Sequence, residues 1–227
     1  MTRYFGKGST GRALACAGAA LGALLVAGTP AVAADEAWRV RLGPGRITWH
    51  EDVDFRIAGQ PAPGAGAALE DKTTLLAEIG YSFTPHWSAN LTLGIPPNSD
   101  IEGRGDAAPF GKLGEVRYGP IAMTLQYQFD GAYGFRPYVG AGAVYFLVTD
   151  EEDGAVSDLK VDNSWGSLVQ AGLEYQFTPR IGLFVDFKKL FLSTDASGRL
   201  SALGGAPVKA DVDLDPTVTT VGVVFRF

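Results

Sequence analysis

Residues 165–177 read WGSLVQAGLEYQF, and apolar and polar side chains alternate along them. Leu173 and Phe177 fall on the apolar face, whereas Gln170 and Glu174 fall on the polar face. A period of two is typical of a β-strand, because successive side chains of a strand point to opposite sides. The stretch therefore predicts a strand that lies between an apolar and a polar environment.

The same alternation recurs in stretches of about ten residues, the length of a tilted strand that crosses a membrane. In chain order the candidate strands are Trp38–Arg46, residues 74–83, residues 87–95, residues 121–129, Phe135–Val148, residues 165–177, Arg180–Leu192 and Thr217–Phe227. No stretch after the N-terminal segment keeps the helical period of 3.6 or reaches eighteen consecutive apolar residues. The sequence therefore predicts an all-β protein of eight strands.

The connections between these strands alternate in length. Short ones are Thr84–His86, Asp130–Gly134 and Thr178–Pro179, and long ones are His50–Asp71, Pro96–Gly114, Thr149–Asn163 and Ser193–Pro216. A soluble β-sandwich has no reason to alternate in this way, whereas short periplasmic turns and long external loops are typical of outer-membrane barrels. We therefore expect an eight-stranded antiparallel up-and-down transmembrane β-barrel in the bacterial outer membrane.

The N-terminal segment has the three parts of a secretory signal peptide. A basic end precedes an apolar stretch over residues 13–28, and Ala31–Ala33 supplies an A-x-A cleavage site. We expect a signal peptide over residues 1–33 and a barrel domain over residues 34–227. Cys16 is the only cysteine and lies in the signal, so neither a disulfide nor a cysteine-bound metal is expected in the mature chain.

Composition and charge exclude several classes of function. The formal net charge of −6 argues against a nucleic-acid partner, because phosphate binding needs clustered Lys and Arg. The histidines His50 and His86 fall at opposite ends of the predicted barrel and cannot form one catalytic or metal site. We therefore expect no enzyme activity, no cofactor and no metal.

The last strand places Phe225 and Phe227 on its outer face. Aromatic side chains near the short turns are expected to form a girdle at the periplasmic membrane surface. A terminal aromatic residue resembles the signal by which the outer-membrane insertion machinery recognises its clients. Phe225 and Phe227 are therefore the expected assembly signal, and the insertion machinery is an expected partner.

Charged side chains fall on the inner face of the predicted barrel. They are Arg39, Arg41, Glu78, Arg136, Glu174, Asp186, Lys188 and Arg226. Side chains fill the interior of an eight-stranded barrel, so an open aqueous pore is not expected. Because an isolated buried charge is costly, these residues are expected to form either a salt-bridged plug or a polar gate that relays a ligand.

Apolar side chains also point inward further out along the strands. They are Leu76, Val144, Phe146, Leu168 and Phe184. The inner face of such a barrel is usually polar, so these residues are predicted to line an apolar pocket or channel for a ligand, closed below by the charged layer. Ordinary core packing, or a register slip that turns them toward lipid, would also explain them.

Several motifs, taken in order, resemble the OmpW family of small outer-membrane proteins. They are WRVRLG at 38–43, GPI at 119–121, LQYQF at 125–129, RPYVGAG at 136–142, DNSWG at 162–166, QAGLEY at 170–175 and LDP at 214–216. The resemblance implies an eight-stranded barrel with a narrow, largely apolar interior that passes or binds small hydrophobic molecules.

On this interpretation the expected partners are small hydrophobic molecules, outer-membrane lipid and lipopolysaccharide, and the chain is expected to be a monomer. The alternative is a structural, adhesive or receptor barrel that acts through its external loops. The Gly, Pro and Asp content of those loops indicates mobility rather than a built pocket. The two functions differ in whether the protein, reconstituted in a bilayer, conducts or takes up an apolar solute.

Overall fold

The computed structural model describes residues 37–227, so the predicted signal peptide of residues 1–33 lies outside the described residues. In chain order the strands are β1 (Trp38–Thr48), β2 (Glu51–Ile57), β3 (Gln60–Pro61), β4 (Ala65–Leu69), β5 (Lys72–Ser82), β6 (Trp87–Gly94), β7 (Asn98–Gly105), β8 (Lys112–Gln128), β9 (Phe135–Asp153), β10 (Val156–Val161), β11 (Ser164–Gln176), β12 (Ile181–Leu200), β13 (Ala206–Leu214) and β14 (Thr217–Arg226). Within residues 37–227 no helix is long and apolar enough to cross a membrane.

Eight of these strands close into an antiparallel barrel. Around the barrel their order is β1, β5, β6, β8, β9, β11, β12 and β14, and β14 pairs back with β1. Neighbours in the barrel are also neighbours in the order of barrel strands along the chain, so the topology is up-and-down. The predicted fold is confirmed, and each predicted strand corresponds to one strand of the barrel.

The four long connections are external, and they form strands rather than irregular loops. They contribute β2, β3, β4, β7, β10 and β13, which continue the sheet outward beyond the barrel. β13 pairs with both β12 and β2, while β7 pairs with both β4 and β8. We call these six strands, together with the outer ends of β8, β9 and β12, the external extension.

The sequence contains a signal for these outer strands. Residues 51–57 read EDVDFRI and residues 206–214 read APVKADVDL, so apolar side chains alternate with charged ones in both segments. Phe55 is half-buried and Val208 is buried, whereas their charged neighbours face solvent. These segments form strands rather than irregular loops because period-two burial of apolar surface outweighs their loop-like composition.

Aromatic side chains surround the periplasmic end of the barrel. Trp38 packs on Tyr81 with ring centroids 5.0 Å apart, and Phe135 packs on Tyr175 at 4.7 Å. Further members of this ring are Phe83, Trp87, Tyr127, Phe129, Phe177, Phe225 and Phe227. Their outward position matches a girdle at the level of the lipid headgroups.

The backbone of Phe227 exchanges two hydrogen bonds of 3.0 Å with the backbone of Trp38. These bonds hold the end of the chain against the start of β1. The side chains of Phe225 and Phe227 both lie exposed on the outer surface. Their role as an assembly signal stays a prediction.

The outward face of the extension carries aspartates on three adjacent strands. Asp54 of β2 lies opposite Asp211 of β13, and Asp211 lies opposite Asp195 of β12. Like charges directly opposite one another repel. The pKa of Asp195 is raised above its usual range, first because its carboxyl group shares a hydrogen bond with Asp211 and also because of the negative charge of Asp211.

Replacing Asp211 with asparagine is expected to return the pKa of Asp195 toward its usual value. A carboxyl group with a raised pKa binds its proton more readily in the folded state, so the extension loses stability as the pH rises through the window between the unfolded and folded pKa values. The pH dependence of the Asp195 carboxyl ¹³C shift measures this. Asp150→Asn, on β9, is the control that should leave Asp195 unchanged, and an ordinary pKa for Asp195 in the wild type would contradict the expectation.

Candidate functional site

The interior of the molecule is arranged in layers along the barrel axis. At the periplasmic end is a polar vestibule, whose lining includes Gln128, Arg136 and Gln176. Further outward follow a layer of buried charged and amide side chains, which we call the charged layer, then an apolar core and, inside the external extension, an apolar cavity. Strand alternation brings the side chains of these layers into the lumen, because the inward side chains of all eight strands converge on one axis.

Arg41 lies at the centre of the charged layer and is 1% exposed. It donates to Glu174 Oε1 from Nε at 2.8 Å and from Nη2 at 2.5 Å, and its Nη1 also bonds Glu78. Lys188 Nζ lies 3.1 Å from Glu78 Oε2 and 2.7 Å from Asp186 Oδ1. Each of these buried acids therefore has a cationic partner, which offsets the cost of removing it from water.

Arg226 holds Glu174 from the periplasmic side. Its Nη2 bonds Glu174 Oε2 and lies 3.4 Å from Gln128 Oε1. Glu174 thus lies between the guanidinium groups of Arg41 and Arg226 and has no exposed surface.

Arg39 differs from the other buried cations because its hydrogen-bond partners are all neutral. Its Nη2 contacts Ser88 Oγ at 2.6 Å, Asn90 Oδ1 at 2.7 Å and Gln126 Oε1 at 2.6 Å. Among residues 37–227 no carboxylate lies within ion-pair distance of Arg39. It is nevertheless only 2% exposed.

Amide and phenol groups complete the charged layer, although they were not among the predicted charged residues. Gln126 Nε2 donates to Gln170 Oε1 at 2.9 Å, and Gln170 Nε2 donates to Asp186 at 2.6 Å. The Tyr138 hydroxyl donates to Asp186 at 2.6 Å, and its ring lies 4.2 Å from the Arg41 guanidinium carbon. The glutamines could have been found from the same inward alternation, whereas Tyr138 breaks the polar pattern.

Arg136 does not belong to this hydrogen-bonded layer, although its inward position was expected to place it there. It pairs in register with Glu174 across β9 and β11, but Arg41 and Arg226 already hold the Glu174 carboxylate. Arg136 is instead half-buried in the wall of the periplasmic vestibule. In the described part of the chain it makes no ion pair.

Leu76, Val144 and Leu168 are buried above the charged layer, but they pack in the apolar core and do not line a pocket. Trp49 and Tyr118 fill the upper part of this core, with ring centroids 5.2 Å apart. The sequence pattern misses these two rings because both lie beyond the ends of the predicted strands.

Phe146 and Phe184 have different surroundings from each other. The Phe146 ring stacks on Tyr118 at 5.2 Å and also borders the external cavity. Phe184 lies lower, with its ring 5.7 Å from the Arg41 guanidinium carbon. Of the five residues predicted to line a pocket, Phe146 alone borders the cavity, because the cavity lies further out than the predicted strands extend.

The apolar cavity lies inside the external extension. Its volume is about 70 Å³, counted as the space open to the centre of a water molecule. Its walls are apolar and include Phe55, Leu113, Phe146, Val156, Leu159 and Val208. The small residues Ala196 and Ala210, which face each other across β12 and β13, leave part of this space.

An apolar cleft at the outer tip of the extension adjoins the cavity. The two share Phe55, Leu113, Val156 and Val208 as lining residues. The last three belong, with Leu200, to a buried apolar cluster. Apolar side chains therefore lie between the cavity and the cleft at the outer tip.

The cavity wall is held by side chains where β10 lies beside β9. In the described chain the main-chain ladder of β10 is formed with β12 alone. Asp153 at the end of β9 accepts hydrogen bonds from the N–H groups of Asp158 and Leu159, at 3.1 and 3.0 Å. Glu151 accepts one from the N–H of Val161 at 3.3 Å. The acidic end of β9 thus supports this wall.

The two histidines lie at opposite ends of the molecule. His50 follows β1 at the outer end, and its carbonyl accepts a hydrogen bond from the N–H of Asp215. His86 lies in a periplasmic turn, where its Nδ1 is 3.0 Å from the carbonyl oxygen of Gln128. Residues 37–227 contain no group of three or more His, Cys, Asp or Glu side chains placed to hold a metal ion.

Comparison with known proteins identifies similar chains. A model of the OmpW family matches residues 39–227. The dibenzothiophene metabolism operon protein PahQ of Pseudomonas aeruginosa is 29% identical over 199 residues, which cover 88% of this chain and 92% of that protein. The crystal structure of the outer membrane protein OprG from Pseudomonas aeruginosa has a TM-score of 0.79 at 27% identity, with 85% of this chain and 97% of that chain covered. The solid-state NMR structure of outer membrane protein AlkL in DMPC lipid bilayers has a TM-score of 0.69 at 27% identity, with 89% and 97% covered.

Proposed function

The chain belongs to the OmpW family and is a barrel of the bacterial outer membrane, and from this premise we propose that its external cavity receives small hydrophobic molecules from outside the cell. The apolar cavity in the extension carries the proposal. Such a cavity binds apolar solutes because each square ångström of apolar surface removed from water contributes about 25 cal/mol. One relative is named for an operon of dibenzothiophene metabolism, and dibenzothiophene is an apolar polycyclic compound of this class.

The charged layer serves as a plug beneath this site. Its buried acids are paired, and its amide groups link them into one network. An apolar solute gains nothing by displacing such hydrogen bonds, so the apolar path ends at the charged layer. The layer thereby keeps the barrel closed to water and ions.

The chain acts by binding and transfer rather than by catalysis, since His50 and His86 lie too far apart to share a site. We further propose that it is a monomer within outer-membrane lipid and lipopolysaccharide. The insertion machinery recognises it through Phe225 and Phe227, which lie exposed at the end of the last strand.

Expression of the full chain is expected to raise the uptake of dibenzothiophene several-fold in cells with an intact lipopolysaccharide leaflet. The cavity offers apolar surroundings that the saccharide layer of the leaflet does not, so a polar disaccharide of similar size should show no increase. Uptake is measured as initial rates against cells that carry the empty vector. Equal rates for dibenzothiophene with and without the protein would contradict the proposal, and increased cell adhesion in that case would support the structural or adhesive alternative.

A further inference from the structure

The periplasmic half of the lumen carries more positive than negative charge. Buried cations outnumber buried acids by four to three: Arg39, Arg41, Lys188 and Arg226 against Glu78, Glu174 and Asp186. Arg136 in the vestibule wall adds a further cation. Protonation of any of the acids would only increase the excess. Because a charge removed from water is costly without a counter-charge, this excess favours an anion at the periplasmic end.

Arg39 and Arg226 lie at the periplasmic end of the network and carry the part of the charge that is least compensated. They face each other across the ladder of β1 and β14, where like charges repel. The Nε atoms of both are buried and have no hydrogen-bond acceptor among the described residues. Arg226 is 6% exposed and lines the vestibule. A buried guanidinium N–H without an acceptor is unfavourable, and an anion beside Arg226 in the vestibule would supply the missing charge.

The vestibule is built to hold such a group. Its wall contains Arg136 and Arg226 together with the amide side chains of Gln128 and Gln176. Gly131 makes room for the stem of Arg136, since a Cβ there would lie 2.9 Å from Arg136 Cγ. The acid on the rim, Asp130, has a side chain that is 96% exposed to water. The donors thus lie inside the vestibule, and the carboxylate of its rim is solvated.

We propose that the periplasmic vestibule binds an oxyanion, a carboxylate or phosphate group, between Arg136 and Arg226. The planar fork of a guanidinium matches the paired oxygens of both groups, and charge-assisted bonds of this kind are about twice as strong as neutral ones. The group belongs either to a free periplasmic solute or to a lipid headgroup at the inner leaflet. The charged layer and the apolar core separate this site from the external cavity, so the two sites are tested independently.

The test follows the Nε–H resonances of the arginine side chains by NMR, with the folded chain in an uncharged maltoside detergent. Inorganic phosphate is added in exchange for chloride at constant ionic strength. A saturable shift of the Arg226 resonance is expected. Arg136→Gln should weaken the apparent affinity about tenfold by removing one charge-assisted contact. Arg180→Gln is the matched control, because Arg180 is exposed in a turn at the same end of the barrel and does not line the vestibule.

A second arm separates the two sources of the oxyanion. Nanodiscs of phosphatidylcholine receive phosphate or acetate, and nanodiscs that contain phosphatidylglycerol receive neither. A saturable shift in the first set supports a free solute, and a shift on introducing phosphatidylglycerol supports a headgroup. If no condition shifts the Arg226 resonance saturably, or if Arg136→Gln and Arg180→Gln weaken the effect equally, the proposal is overturned.

Discussion

Replacement of Glu174 by glutamine is expected to lower the free energy of unfolding by about 3–5 kcal/mol. Glu174 has no exposed surface and holds both Arg41 and Arg226. The amide of glutamine keeps the shape and some hydrogen bonds, but it leaves Arg226 without its counter-charge and Arg41 with Glu78 as its one remaining acid. The measurement is the unfolding midpoint in urea for the barrel in phospholipid vesicles.

The control for this substitution is Glu102→Gln. Glu102 pairs with Arg104 at 3.4 Å, and the side chains of both are more than half exposed. Exposed ion pairs contribute at most about 1 kcal/mol, so this variant should unfold near the wild type. Equal effects of the two substitutions would mean that the buried network does not stabilise the barrel.

The Glu174→Gln variant also distinguishes a plug from a gate in the charged layer. If the layer is a plug, Glu174→Gln lowers stability and leaves the single-channel conductance in planar bilayers unchanged, because side chains still fill the lumen. A folded variant with raised conductance would favour a polar gate. The network in which Lys188 links Glu78 to Asp186 favours the plug, since a relay needs groups that can exchange partners cheaply.

The barrel and most of the charged layer can be predicted from the sequence because one rule governs both. The period-two pattern that sends Leu173 toward lipid also sends Glu174 into the lumen, and a closed barrel then brings Arg41 and Glu174 together although they are far apart along the chain. Alternation gives the face on which each side chain lies. It does not give the height of the side chain along the barrel axis, nor which other side chains compete for the same partner. For that reason the pattern places Arg136 inside the barrel but does not show that Arg41 and Arg226 already bind Glu174, the acid opposite Arg136.

The cavity could not be placed from the barrel strands because it lies outside them. Its walls come from segments whose Gly and Pro content is that of loops, such as the one that forms β4, and their pairing depends on contacts between distant segments. The pattern at Val53 and Phe55 indicates strands, but it does not show that β2 pairs with β13. Register between distant strands is a property of the assembled sheet.

Leucine at both Ala196 and Ala210 is expected to abolish most of the protein-dependent uptake of dibenzothiophene. The two alanines are cross-strand partners whose side chains face the cavity. Added apolar volume there fills space that the ligand would occupy and introduces no charge. Burying an apolar group the size of a leucine side chain contributes about 1.5–3 kcal/mol, so a ligand excluded from the cavity loses roughly ten- to a hundredfold in affinity.

The matched control changes Asp195 and Asp211 to leucine, one residue away on the same two strands and on the outward face of the sheet. This pair adds apolar bulk to the same ladder but leaves the cavity unchanged, so uptake should stay at the wild-type rate for equal amounts of heat-modifiable barrel in the outer membrane. Filling a cavity that already has space costs less than overpacking a full core, and the control adds bulk at an exposed face, so both variants should fold. Equal loss of uptake in the two variants would show that the substitutions act by disturbing the pairing of the two strands and not by filling the cavity. Unchanged uptake in both variants would show that the solute does not pass through the cavity.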